Sequence, residues 1–285
     1  MIYVIKFYAR FYEIVKKYLK INLPGLGVLY RLLKKDDYFL VKGKKLFFNH
    51  KISDNYGMLI NGNFNEKETH LFLDKVFDNR NIENFHFIDI GGNIGEFVID
   101  YSDHERVKNL TVFEPQKEQC ITIKKTIEAN NFKNTVLIEQ PVSNESKLVN
   151  FNFNVTNSTA SGIINIDNID NIEASILSTT IDQNFFNNSS ETFVMLIDIE
   201  GQELNAIRGG KNFIKNELPL IIFEYNHVTK KYFKIQDMQN QLGDIYKIYR
   251  LNSFGRMDLN FNNTWNLVAL PQNKTFKYLS NLIDN

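Results

Sequence analysis

Five short apolar runs punctuate the middle of the chain: FHFIDI (85–90), LTVFEP (110–115), TVLIEQP (135–141), FVMLIDI (193–199) and PLIIFEY (219–225). Each has the continuous hydrophobic character of a strand covered on both faces. Segments with helical spacing lie between them at 116–130, 202–216 and 229–242. Strands alternating with helices predict βαβ crossovers and a parallel sheet. The chain then carries YKIYRL (246–251) and TWNLVALP (264–271) with no helix between them, which predicts an antiparallel strand at the sheet edge. From Leu148 to Ile181 the rhythm lapses into extended, Asn- and Ser-rich sequence, where additional strands or a loop over a ligand cleft are expected.

Ahead of this region the pattern differs. Ile2, Ile5, Tyr8, Phe11, Tyr12, Val15 and Tyr18 fall at helical spacing with Arg10, Lys16, Lys17 and Lys20 between them, and Pro24 and Gly25 break the pattern. Such a basic amphipathic helix, residues 1–20, has two readings: peripheral contact with an anionic membrane surface, or packing on its own domain or a partner. YFLVKG and KLFFNH read as a hairpin, and Lys67 to Phe77 as a helix leading into the main domain. The organisation expected is an appendage of amphipathic helix and hairpin over 1–80, followed by a doubly wound α/β domain over 81–285.

Composition narrows the function classes. The 285 residues include 33 Lys+Arg and 33 Asp+Glu, a net charge of zero, which argues against a nucleic-acid binder. The single cysteine, Cys120, excludes an internal disulfide framework and a Cys-cluster zinc site. No apolar run reaches the roughly 18–20 residues of a membrane span. The opening MIYVIKFYARFYEIVKKYLK is charged every few residues and lacks a small-residue cleavage site, so it makes a poor signal peptide and the cytoplasm is the expected compartment. With 38 Asn in the chain, the N-x-S/T triplets at Asn109, Asn144, Asn157 and Asn188 follow from composition.

The strongest local signal is DIGGNIG, Asp89 to Gly95, directly after a strand and opening a helix. Its glycines let the backbone turn sharply beside a ligand, and Asn93 is a residue type that tolerates a left-handed conformation. In an open parallel sheet this loop sits where ligands bind. Its spacing is not that of a dinucleotide fingerprint, and Asp89 and Glu96 suit a cationic ligand better than a pyrophosphate. A glycine turn that only packs a helix on a strand remains the alternative. Glu114, 19 positions beyond Gly95 at the end of the next strand, is placed to accept both hydroxyls of a ribose. Together these features point to an adenosine-type ligand whose other end is not a phosphate. S-adenosylmethionine fits that description.

DIGGNIGEF, VFEPQ, IDIEGQELNAIRGG, LPLIIFEYN and the terminal NLVAL together resemble the FkbM family of S-adenosylmethionine-dependent methyltransferases, over about Gly43 to Pro271. The resemblance implies the class I methyltransferase (Rossmann-like) fold, a seven-stranded, mostly parallel sheet whose last strand is antiparallel. It also implies O-methylation of a hydroxyl on a sugar, polysaccharide or natural product. Carried over residue by residue, it puts Asp89, Gly91, Gly92, Asn93 and Gly95 around the methionine moiety and Glu114, followed by Pro115, on the ribose. Gln140, Pro141, Val142 and Ser143 take the adenine-contacting turn, and Asp198 faces the methyl group and the acceptor. Glu66 and Glu68 resemble the acidic residue that precedes the family's first helix near the cofactor.

A sugar hydroxyl is a weak nucleophile, so loss of its proton needs help from a side-chain base or a divalent cation. Asp198, Glu200, Glu203, Glu224 and His227 lie at or just beyond two strand ends that should be neighbours. His227 or Asp198 is the candidate base, with Glu200 and Glu224 beside them. Asp198, Glu224 and His227 are the candidate ligands of Mg²⁺ or Mn²⁺. Glu200 and Glu203 also have a bland reading as caps of the following helix. STASG (158–162) is a candidate piece of the acceptor pocket, and Phe64, Tyr225, Phe254 and Trp265 are candidate stacking aromatics. The acceptor expected is a nucleotide-activated sugar or a surface-polysaccharide building block. The alternatives are a small natural product as acceptor, or a non-catalytic glycan- or nucleotide-binding module on the same fold.

Overall fold

In the computed structural model the apolar runs lie side by side as the strands of one sheet. The structure describes residues 37–49, 66–152, 162–163, 174–185, 191–262 and 264–284, together with Phe7 and Phe11. The rest of the basic N-terminal helix, Phe64 and all of STASG but Gly162 lie outside the described residues.

In chain order the elements begin with a hairpin, β1 (Tyr38–Val41) and β2 (Lys44–Phe47), and helix α1 (Lys67–Phe77). There follow β3 (Phe85–Ile90), α2 (Glu96–Tyr101), β4 (Val107–Phe113), α3 (Lys117–Asn130) and β5 (Thr135–Ile138). The irregular stretch supplies β6 (Leu148–Asn152), β7 (Gly162–Ile163) and β8 (Ala174–Leu177), then α4 (Ile181–Asn184). Next come β9 (Thr192–Ile197), α5 (Glu203–Gly209), α6 (Lys211–Glu217), β10 (Leu220–Glu224) and α7 (Ile235–Leu242). The last strands are β11 (Tyr246–Leu251), β12 (Met257–Asp258) and β13 (Asn266–Pro271).

The central sheet has the order β12-β11-β13-β10-β9-β3-β4-β5. Its five strands from β10 to β5 are parallel, and β13 runs antiparallel between β10 and β11. This is the expected architecture with two corrections: among the described residues the sheet has eight strands, not seven, and the antiparallel β13 lies inside the sheet rather than at its edge, because β11 and β12 pair beyond it. The turn after β11 folds back as β12, where Met257 is fully buried and Asp258 pairs with Arg250 at 2.5 Å. Two expected helices are also broken. The 202–216 segment divides at Gly210, which packs directly on Ile181, and 229–242 opens with a 3-10 turn, Thr229–Lys231.

Alternation along the strands sorts their side chains to opposite faces. Phe85 and Phe87 join one apolar cluster with Phe72, Phe77, Leu46 and Phe48, so α1 and the hairpin share the core of the sheet's first face. Ile88 and Ile90 join the other, with Ile207, Phe213 and Met238 of the helices on the second face. The chain leaves β3 toward β4 and β5 on one side and returns to β9 and β10 on the other. The loops after β3 and β9 therefore diverge, opening a crevice at the carboxyl ends of the strands.

Candidate active site

The crevice is a partly open cavity with polar and apolar walls. Its walls come from the loop after β3 (Ile90, Gly91, Asn93), the end of β4 (Phe113 to Gln116), the turn after β5 (Gln140, Pro141, Val142) and the loop after β9 (Asp198, Ile199, Glu200, Gln202). Phe151 of β6 and Ile163 of β7 complete it. Most of the residues expected around a cofactor, scattered over more than one hundred positions, are thus brought to one place.

Close approach explains the glycines. Gly91 has φ +104°, and a Cβ there would lie 1.9 Å from the Asp198 carbonyl oxygen. The amides of Gly91 and Gly92 both donate to the Phe113 carbonyl, at 2.9 and 3.0 Å, closing the turn onto β4. Asn93 takes the left-handed conformation, φ 44°. Its amide donates to Glu114 Oε2 at 2.8 Å, and the Gln116 amide donates to Oε1 at 2.7 Å. Each carboxylate oxygen keeps a further lone pair, and burial pushes the Glu114 carboxyl up to about 7. A buried acceptor of this kind fits a diol donating two hydroxyls, as a ribose does.

Five expected cofactor residues lie elsewhere. Ser143 does not line the cavity: its amide donates to Thr179, and its carbonyl is packed so tightly on Gly209 that a Cβ there would come within 2.1 Å. Gly92 and Gly95 shape the loop rather than face the cavity; Gly95, at φ +79°, sets the start of α2. Glu68 is also outside it, and the acidic residue that reaches the site from α1 is Glu66, at the start of that helix. Thr69 Oγ1 and Asn266 Nδ2 donate to Glu66 Oε2 at 3.1 and 2.7 Å, which ties α1 to β13. Asp89 is 1% exposed and turned to the α1 face, where burial first, then Glu66 and Glu96, hold its carboxyl well above the usual range.

Beside the cavity stands a group of carboxyls. One oxygen each from Asp198, Glu200 and Glu224 lie within 4.8 Å of one another. Burial raises the proton affinity of Asp198, and Glu200 and Glu203 add to it; burial and then Asp198 do the same for Glu224. Glu66 is raised by burial and by Asp198. Glu203 does not cap the helix it begins: its Oε1 accepts from the amides of Ile199 and Gly201, each at 3.1 Å, and so holds the loop before α5. Glu200 does not cap; it sits in the left-handed region at φ 55° and lines the cavity. His227 is exposed and stands outside the carboxyl group, because the chain turns away after Glu224 into the 3-10 turn that Asn226 caps through Val228 and Thr229. The base and metal roles expected of His227 therefore have no geometric support.

Sequence reasoning did not reach Phe151, Ile163, Gln116, Gln202 or Ile199 as cavity residues. Phe151 and Ile163 carry no local signal, since β6 and β7 reach the cavity only through tertiary packing. Gln116 follows Glu114-Pro115, and its place beside Glu114 was the one signal available.

The sequence profile described as the methyltransferase FkbM domain matches residues 89–263, more than half of the chain. No curated protein matches the sequence. Among solved structures, methyltransferase FkbM from Methylobacillus flagellatus KT has 14% identity and a TM-score of 0.45, over 66% of this chain and 43% of that one. This chain thus spans less than half the length of that protein. Precorrin-6y C5,15-methyltransferase from Geobacter metallireducens GS-15 has 9% identity and a TM-score of 0.39, over 72% of this chain and 85% of that one. M. jannaschii TYW2, solved in complex with AdoMet, has 10% identity and a TM-score of 0.36, over 72% and 75%. The profile begins at Asp89 and ends just before β13, taking in the glycine loop, Glu114 and the whole carboxyl group. The chain belongs to the FkbM methyltransferase family.

Proposed function

We propose that the protein is an S-adenosylmethionine-dependent O-methyltransferase acting in the cytoplasm on a hydroxyl of a sugar, carried by a nucleotide-activated sugar or a surface-polysaccharide building block. The observation that carries this reading is the position of Asp198, which borders the cofactor cavity and belongs to the buried carboxyl group beside it. S-adenosylmethionine, when bound, supplies an electrophilic methyl group on a sulfonium.

The remaining work falls to the chain's own residues. Glu114 accepts the ribose hydroxyls, Pro141 and Val142 wall the adenine end, and the Gly91–Asn93 turn lets the methionine end approach the backbone. An in-line displacement needs chiefly alignment of the two reactants. The acceptor's hydroxyl proton must also leave, and Asp198 is the carboxyl that meets both the cavity and the group around Glu224. A carboxyl of raised proton affinity is a better base for an alcohol than an ordinary aspartate. A surface rich in acceptors where, among the described residues, no lysine, arginine or histidine pairs with Asp198, Glu200 or Glu224 also suits a polyhydroxylated substrate that arrives as a donor. Among the described residues no helix is long and apolar enough to cross a membrane.

The test is calorimetric titration of S-adenosylhomocysteine into wild type and Glu114→Gln, followed by transfer of labelled methyl to a panel of nucleotide sugars and small-molecule alcohols. Binding lost with Glu114, and label recovered as a sugar methyl ether, is the expected result. Binding without transfer to any acceptor favours a non-catalytic module. No binding by the folded wild type removes the methyltransferase reading.

A further inference from the structure

We infer that Gln119 is a positioning residue for the cofactor: from the first turn of α3 it fixes the side-chain amide of Asn93, so that the Asn93 nitrogen faces the ligand and donates to the carboxylate of its methionine moiety. The identity of the ligand rests on the methyltransferase reading; the geometry of the pair does not.

Gln119 is 0% exposed. Its Nε2 donates to Asn93 Oδ1 at 2.8 Å, and its Oε1 has no protein donor among the described residues. Asn93 is therefore the one group that the Gln119 side chain holds there. Ile123, one helical turn further on, packs against the same glycine loop: a Cβ on Gly92 would lie 3.4 Å from its Cδ1, and one on Gly95 3.4 Å from its Cγ1. Residues four apart share a helix face, so the face of α3 that carries Gln119 is the one turned to that loop. Gln119 itself does not line the cavity, and Asn93 does.

The composition of the cavity wall supplies a second observation. Among the described residues no lysine, arginine or histidine lines it, so a ligand carboxylate entering there must be met by the N–H groups of neutral residues. Asn93 is prepared for that part. Its backbone amide is taken by Glu114 Oε2 and its Oδ1 by Gln119, while its Nδ2 has no protein acceptor among the described residues. A side-chain amide carries its donors on nitrogen alone, so the atom left for a ligand is the one that suits a carboxylate. Glycine would adopt the left-handed φ of 44° as readily as asparagine, so the backbone does not account for the side chain. Gln140 makes the contrast, since its Nε2 is spent on the Leu177 carbonyl at 3.1 Å.

The contact performs no chemical step. With Glu114 on the ribose, a donor on the carboxylate fixes the other end of the cofactor, and the two together set the direction from which the sulfonium methyl meets an acceptor beside Asp198. An Asn93 amide released from Gln119 turns, and in the turned orientation its oxygen repels the carboxylate.

Calorimetric titration of S-adenosylhomocysteine and of its decarboxylated analogue into wild type, Gln119→Met, Asn93→Gly and the double variant tests the pair without turnover. S-adenosylhomocysteine is expected to bind about fivefold more weakly to Gln119→Met and about tenfold more weakly to Asn93→Gly. The double variant should be no weaker than Asn93→Gly, because Gln119 acts only through Asn93, and the decarboxylated analogue should bind all four proteins equally. Circular dichroism and thermal melting establish that each variant folds; Gln119→Leu and Asn93→Asp replace any that does not. A folded Gln119 variant that binds S-adenosylhomocysteine as the wild type does overturns the role. Equal weakening of both ligands, or losses that add in the double variant, makes Gln119 a structural residue and overturns it as well, with the cofactor reading left standing. A folded wild type that binds neither ligand removes the methyltransferase reading and this role with it.

Discussion

Glu114 is held by two backbone amides before any ligand arrives, so its oxygens are aimed at no entropic cost to the complex. As a carboxylate it is a charge-assisted acceptor, and its pKa of about 7, raised by burial, makes that state pH-dependent. Affinity for S-adenosylhomocysteine is therefore expected to rise between about pH 6 and 8 as Glu114 ionises, and the slope should vanish in Glu114→Gln, with a loss of about tenfold or more at pH 8. Titration calorimetry across that pH range reads both effects. His70 makes the opposite kind of case. Burial disfavours its charge, but Asp100 at 3.0 Å and Glu96 at 3.4 Å outweigh this and raise the imidazole to about 9. A folded-state value above the usual 6.5 stabilises the fold fully below pH 6.5, and that stability is lost as pH rises through 9. The loss is on the order of 3 kcal/mol at most. Denaturant titration at pH 6.5 and 9.5 should show it in wild type and not in His70→Gln. Asn93, Gly91 and Glu114 were legible as residues because glycine, asparagine and a strand-end acid have few bland uses together. Glu66 was overshadowed by Glu68 because position in a helix decides which acid reaches inward, and the helix start was only approximate in the sequence.

Elements meet at this site through their ends. The carboxyl ends of β3, β4, β9 and β10 stand in adjacent register, with Ile90 opposite Phe113 and Ile197, and Phe223 opposite Ile197. A change at one strand end is therefore felt at the next. Gly91→Ala places a Cβ on the Asp198 carbonyl at a φ that disfavours it. The expected cost is on the order of 2–3 kcal/mol by chemical denaturation, together with loss of methyl transfer because Asp198 is displaced. The strands themselves were plain in the sequence, since continuous apolar runs have one use in a doubly wound fold. Where helices break was not. Gly210 ends α5 because it meets Ile181, and that contact lies 29 positions away in the chain.

At the scale of the whole molecule the cavity is shared by the parallel sheet and the small sheet β7-β6-β8, which lends Phe151 and Ile163. Ile163 is only half-buried, so Ile163→Ala should leave the melting temperature close to wild type while weakening S-adenosylhomocysteine about fivefold, as expected for roughly 1 kcal/mol of lost apolar contact. The hairpin adds Leu46 and Phe48 to the sheet's first core, and α1 brings Glu66 to the acids of the active site. By itself the sequence determined the βα alternation, an antiparallel last strand, the glycine loop, the strand-end carboxyl of Glu114 and the family. These follow from periodicity and from residues whose chemistry is expressed within a few positions of the chain. Only the tertiary structure decided that Glu66 joins Asp198, that His227 turns outward, that Ser143 packs on Gly209, and that Phe151 closes the cavity. Those outcomes depend on which distant segments pack together, and no local pattern encodes a contact made across the fold.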